Sequence, residues 1–301
     1  MDCAGIPIIR AAVDAQRAAG TRADDDRPTL GVIAFEGWND AGEAATDALE
    51  LLRETWGVRQ IAEIDDEQYY DFQFTRPQVR RVGGESRIDW PRTRIYSGTL
   101  PEADCDVVMV SGMEPSFKWR AFSALLEEYL SGADAIILLG ALLADVPHSR
   151  PLPVSVTSED AALRHELDLE RSSYEGPTGV LGVLENQLGL AGIPVVSAWV
   201  AVPNYVAQSP SPKAQLALLG RMEELTGITI PYGDLHEDAQ AWETGVDELA
   251  QHDAEIADYV ARLEQMRDAT DLPEASGEAI AQEFERFLRR RPPGDKGSPS
   301  S

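Results

Sequence analysis

Beyond Pro28, short runs of aliphatic and β-branched residues alternate with segments of helical period, the pattern of a mostly parallel sheet covered by helices on both faces. Thr29 to Phe35 reads as a first strand, ended by Glu36-Gly37-Trp38-Asn39-Asp40-Ala41-Gly42. Ala44, Ala45, Ala48, Leu49 and Leu52 then mark the inner face of a helix that Gly57 stops. Val58 to Ile64 predicts the next strand, and Gln78 to Ser97 alternates around Gly83-Gly84 as a hairpin, an antiparallel excursion from the sheet.

Val107 to Val110 is a continuous apolar strand, followed by the loop Ser111 to Ser116 and a helix carrying Phe122, Leu125, Leu126 and Tyr129. Asp134 to Gly140 returns as a buried strand. A long Pro-rich loop, Ala141 to Pro153, leads to a short strand, Val154 to Thr157, whose Ser158 can cap a helix beginning near Glu159. Pro194 to Val200 is the last clear strand, and Pro212 opens a helix that stops at Thr226-Gly227. From Glu237 acidic residues and Ala dominate, and Val246, Leu249, Ile256, Val260 and Leu263 predict one long amphipathic helix. After Thr270-Asp271-Leu272-Pro273, Ile280, Phe284, Phe287 and Leu288 line a second helix able to pair with the first. The expected organisation is a flexible arm over 1–28, an α/β domain over 29–235, a helical hairpin over 236–291 and a disordered tail over 292–301.

Charge narrows the function classes. Lys and Arg total 26 against 52 for Asp and Glu, a net charge of −26, which repels phosphate and argues against nucleic acid and anionic membrane as partners. A basic protein partner, or solubility alone, is compatible with it. Two distant cysteines, Cys3 and Cys105, make neither a disulfide framework nor a C-x-x-C site, so a reducing, cytoplasmic setting is expected. The charged segment 1–28 has no secretory apolar core, and Ala135 to Ala144 is far short of the ~20 residues that cross a bilayer.

Candidate chemistry concentrates after the strands. Glu36, Asn39 and Asp40 sit at a carboxyl strand end, where open α/β sheets bind ligands, yet Asp40 and Glu43 also fit a capping box at the start of a helix. Asp145, His148 and Ser149 are the residue types of a hydrolytic triad, but they crowd into one Pro-rich loop, and no G-x-S-x-G elbow exists. Asp145 and Arg150 organising that loop is the plainer use. Gly176-Pro177-Thr178-Gly179, preceded by Glu175, runs into an apolar helix whose amides can hold an anion, although a phosphate cradle wants a cation and Arg171 lies before the loop. The four histidines lack metal-binding spacing, no nucleotide loop is present, and no cofactor or metal is expected. Lys118, Trp119 and Arg120 at a helix start form a candidate interface.

Several stretches together carry a resemblance: Glu36 to Gly42, Arg76-Pro77 through Trp90-Pro91, Leu139 to Pro151, Tyr174-Glu175-Gly176-Pro177-Thr178-Gly179 and Val202-Pro203-Asn204-Tyr205-Val206. In order and spacing they resemble the proteasome assembly chaperone family in its bacterial, actinobacterial form, over nearly all of Thr29 to Arg290. The resemblance implies a three-layer α/β/α sandwich of the phosphorylase/hydrolase type, a helical C-terminal extension, self-association into trimers, and proteins as partners, proteasome α-subunits among them. Two departures are visible: the family's eukaryotic members dock through a C-terminal hydrophobic-Tyr tail whereas this sequence ends Ser298-Pro299-Ser300-Ser301, and Asn204 stands where bacterial members often have His. A competing expectation from fold analogy is a small-molecule phosphorylase or hydrolase with Glu36, Asp40, Asp145, His148 and Glu175 around one pocket.

Overall fold

The computed structural model describes residues 6–20, 27–100, 103–206 and 210–271. Its centre is a seven-stranded mixed sheet built from β1 (Thr29–Glu36), β2 (Arg59–Ile64), β5 (Thr93–Thr99), β6 (Asp106–Met113), β7 (Ala135–Ala144), β8 (Val154–Thr157) and β9 (Val195–Pro203), in the order β2-β5-β6-β1-β7-β9-β8. The four central strands, β6, β1, β7 and β9, are parallel, while β5 and β8 run against their neighbours. β3 (Gln78–Val82) and β4 (Glu85–Asp89) form a separate two-stranded hairpin around Gly83-Gly84, shorter than the expected Gln78 to Ser97, because the residues from Thr93 onward belong to β5 of the main sheet.

Alternation within β1 shows how the layers arise. Leu30, Val32 and Ala34 point into one apolar cluster with residues of α2 (Ala44–Thr55) and α6 (Pro212–Thr226). Ile33 and Phe35 point into the other, with α3 (Trp119–Leu130) and α5 (Val180–Leu190). A strand buried on both faces has no polar side to show, which is why the central strands read as continuous apolar runs. The result is the expected three-layer α/β/α sandwich.

Two expectations are corrected. The segment 1–28, expected as a flexible arm, contains α1 (Pro7–Ala19), whose Ile8, Ile9, Ala12 and Val13 are buried against α4 (Ala161–Leu167) and α6. Three charges of this segment, Arg10, Asp14 and Arg17, fall on the exposed side of α1. The single long helix expected from Glu237 is two, α7 (Leu235–His252) and α8 (Ala254–Asp271), because Asp253 is extended and its carboxylate accepts the amides of Glu255 at 2.9 Å and Ile256 at 3.3 Å, restarting the helix. That break leaves Leu249 exposed although Val246, Val260 and Leu263 are buried. The second helix expected after Pro273, and the tail over 292–301, lie outside the described residues.

No helix among the described residues is long and apolar enough to cross a membrane. If α1 is an integral part of the core, Ile9→Ala lowers unfolding stability by about 2 to 5 kcal/mol in urea titration, the range for a buried Ile truncated to Ala; an unattached arm leaves the midpoint unchanged.

Candidate functional site

The carboxyl ends of β1, β6, β7 and β9 reach the same edge of the sheet, and the polar residues expected to form a site divide there into separate groups. In the first group, Asp40 is buried and spends its carboxylate on α2. One oxygen accepts the amides of Ala45 at 2.7 Å and Thr46 at 3.3 Å, and the other accepts the Thr46 hydroxyl. The expected capping box is therefore displaced: Gly42 and Glu43 both adopt the left-handed conformation, so the chain makes an extra turn before α2 and the orphan amides lie at 45 and 46 rather than near Glu43. Burial, opposed by these hydrogen bonds, pushes the Asp40 carboxyl up to about 6.

Asn39 is also buried. Its carbonyl accepts the Ala141 amide at 2.8 Å, tying the β1 end to β7, and its side-chain amide donates to Glu114 at 2.9 Å. Glu114 is the residue that sequence reading did not single out. The same carboxylate accepts the Val180 amide at 2.9 Å and the Trp38 amide at 3.4 Å. The helix start after Gly176-Pro177-Thr178-Gly179 thus already has its anion, supplied by the loop after β6. Gly179 permits the approach, since a Cβ there would lie 2.4 Å from Asn39 Oδ1. Glu36, by contrast, is exposed at the end of β1.

A second group lies under the C-terminal helices. His148 is buried, its amide donating to the Tyr205 hydroxyl at 2.8 Å; its Nδ1 is 2.8 Å from the same hydroxyl and its Nε2 3.0 Å from Asp247 of α7. With a carboxylate accepting at Nε2, that nitrogen carries the proton and Tyr205 donates to Nδ1. Ser149 donates to Glu264 of α8, so the three triad residue types adjoin in sequence without forming a relay. Arg150 grips Asp268 of α8 through two bonds of 2.8 and 2.9 Å, which holds the Asp268 carboxyl below its ordinary value. Asp145 accepts from Asn204 at 2.6 Å and from Tyr259 of α8 at 2.9 Å, while Lys213 donates to the His148 carbonyl and to Glu243 of α7. The long Pro-rich loop is ordered by these helices, whose contributions are separated from it by up to 118 positions and leave no local signal.

Glu175 and Gly176 stand apart again, in the exposed run before α5. Glu175, Arg171 and Glu185 line an open groove of about 850 Å³, together with Glu159 and Tyr174. Neither Asp40 nor His148 lines it. The Ser158 cap is relocated nearby: Asp160 accepts the amides of Ala162 and Leu163 at 2.9 Å, and the Ser158 hydroxyl donates to the Val195 carbonyl. Lys118 is exposed and reaches Gln68 at 2.6 Å, Arg120 is exposed, and Trp119 is half-buried with its indole donating to the Pro115 carbonyl. At the same sheet edge Trp38 is 67% exposed, and Phe117, Leu142 and Leu143 are also uncovered. No group of three or more metal-ligating side chains occurs among the described residues.

The family model described as the PAC2 family matches residues 34–250. The chain is similar to a PAC2 family protein from Streptomyces avermitilis, at 47% identity over 77% of this chain and 99% of that one, with a TM-score of 0.72. It is equally similar to a Mycobacterium tuberculosis proteasome-assembly chaperone homologue, at 46% identity over 77% and 99% of the two chains and a TM-score of 0.70. An archaeal proteasome activator from Pyrococcus furiosus, 16% identical over 76% of this chain and 96% of that one with a TM-score of 0.60, shares the fold alone. Among curated proteins none matches.

Two outcomes follow from the edge geometry. Glu114→Ala strands buried donors at Asn39 and Val180 and lowers unfolding stability by about 1 to 3 kcal/mol for each, measured in urea, while Glu114→Gln retains an acceptor and loses less. The Asp47 carboxyl is likewise pushed up from 3.8 to about 6, by burial first and then by Glu43, Asp40 and Glu50. A folded carboxyl that titrates above its unfolded value binds protons more readily when folded, so its contribution is present at low pH and lost as pH rises through about 6. Asp47→Asn therefore raises the melting temperature at pH 7, and differential scanning calorimetry shows the gain fading between pH 6 and pH 4.

Proposed function

Because this chain belongs to the PAC2 family, we propose that it acts as a homo-oligomeric, protein-binding assembly chaperone or adaptor whose client is a proteasome α-subunit. The observation that carries the reading is a division of labour at one sheet edge. Asp40, Asn39 and Glu114 are engaged in capping and strand ties, while Trp38, Phe117, Leu142 and Leu143 are left uncovered around them. Clustered exposed apolar side chains rimmed by polar groups mark surfaces that bind other proteins. The Mycobacterium tuberculosis homologue, named for proteasome assembly, supports the choice of client. The α/β unit over 29–235 and the helical region from 236 onward work as one body in this reading, since α7 and α8 order the loop beside the apolar rim, and a cytoplasmic setting suits such a client.

The competing reading, a small-molecule enzyme, has one observation in its favour: the groove of about 850 Å³ lined by Arg171, Glu175 and Glu185. It draws on Glu175 alone of the five residues expected in one pocket, because Asp40, Asp145 and His148 are bonded elsewhere.

Native mass spectrometry with actinobacterial proteasome α-subunits tests the proposal. A complex forms at micromolar concentration, and Trp38→Ala with Leu143→Ala weakens it at least tenfold, a loss of about 1.4 kcal/mol or more. Absence of any complex, together with turnover of a small substrate that Glu175→Ala abolishes, sinks it in favour of the enzyme.

A further inference from the structure

The β3–β4 hairpin is unlike the rest of the molecule in two respects. Every residue from Gln78 to Ile88 is exposed, including the directly paired Val79 and Ile88, at 71% and 55%. A two-stranded ribbon with apolar side chains in water is marginal on its own; this one is held at its base, where the Trp90 ring lies 5.0 Å from that of Phe72 and Arg92 bonds Glu63 and Asp89. Its charge is also inverted. Six arginines, Arg76, Arg80, Arg81, Arg87, Arg92 and Arg94, face two acidic residues between positions 76 and 94, within a chain of net charge −26. Arg80 and Arg87 are directly opposite each other on the far face of the ribbon, where Asp89 pairs with Arg80 at 3.0 Å and Glu85 lies 3.9 Å from Arg87, while Arg81 shares the face of Val79 and Ile88.

The opposite composition occurs on α7 and α8, which carry eleven acidic residues against two arginines from Leu235 to Asp271. Glu243, Asp247, Glu264 and Asp268 turn inward to Lys213, His148, Ser149 and Arg150. Glu248, Glu255 and Asp258 are exposed, as is Leu249, at 63%. One surface offers Val79 and Ile88 beside Arg81, and the other offers exposed carboxylates with the exposed Leu249.

We propose that the β3–β4 hairpin is one half of a head-to-tail contact between copies of this chain and seats on the outward face of α7 and α8 of the next copy. This rests on the self-association proposed above and specifies its interface. The two surfaces differ, so the contact is heterologous, and repeated head to tail it forms a ring where the rotation between copies closes. The Val79–Ile88 face of the ribbon, which Arg81 shares, covers Leu249 and meets the carboxylates of the neighbour's helices.

Native mass spectrometry and light scattering decide it with three proteins. The wild type is an oligomer that weakens as salt is raised. Arg81→Glu brings the mass to that of one chain; Arg81 is exposed and opposite Ser86, so the change meets no charge across the hairpin, and an unchanged melting temperature verifies that the hairpin is intact. Adding Glu248→Lys, Glu255→Lys and Asp258→Lys to that variant restores the oligomer. An oligomer that persists unchanged in the hairpin variant overturns this contact while leaving self-association standing, and a wild type that is monomeric at tens of micromolar overturns both. Dissociation without rescue overturns the assignment of the helices as the receiving face.

Discussion

A parallel sheet delivers its strand ends, and the starts of the helices that follow them, to one edge, and the amides exposed there must find acceptors if the edge is not to be left to water. Here Asp40 supplies them for α2 and Glu114 for α5, each from a loop that follows a central strand. The same Glu114 carboxylate holds Asn39, whose carbonyl in turn fixes Ala141 of β7. The starts of α2 and α5 and the loops beside them are therefore tied down by two carboxylates. What an open α/β fold ordinarily uses to hold a ligand is consumed in closing the fold upon itself.

The consequence for function is one of availability. A helix start occupied by a carboxylate of its own chain does not welcome a phosphate, and His148, buried between Tyr205 and Asp247, lies away from the open groove. The side chains left facing solvent at that edge are aromatic and aliphatic, with Trp38 and Leu143 among them. Chemistry of that kind recognises a protein surface, by excluding water over area, better than it recognises a small polar molecule. The C-terminal helices extend the same logic, since they satisfy the polar groups of the Pro-rich loop and turn their remaining acids outward.

Most of the sheet was legible because buried strands and amphipathic helices write their periods directly into the chain, as Thr29 to Phe35 and the Ala-rich α2 do. Caps were legible only when local. Asp40 could be assigned to α2, although the left-handed turn at Gly42 and Glu43 moved its target by two residues. Glu114 could not be assigned to α5, because the amide it accepts is 66 positions away and nothing in the intervening sequence marks the pairing. α1 was hidden by the weight that Arg10, Asp14 and Arg17 give to a short segment, when the spacing of Ile8, Ile9, Ala12 and Val13 was the better guide. The partners of His148 and Arg150 lie on helices whose position no local pattern fixes.

Net charge has a double role in such a molecule. An excess of 26 negative charges opposes contact between like acidic surfaces, so a face-to-face dimer through an acidic patch is penalised twice, by repulsion and by desolvation. A small basic region on an otherwise acidic body changes the symmetry of what is allowed: attraction exists only between unlike parts of two copies, and orientation follows from it. In the proposed contact the hairpin's arginines contribute chiefly to the direction and rate of association, and the exposed Val79 and Ile88 to its durability. In a protein whose sheet edge has already been closed by its own carboxylates, the remaining determinants of partnership are surface apolar area and the placement of a minority charge.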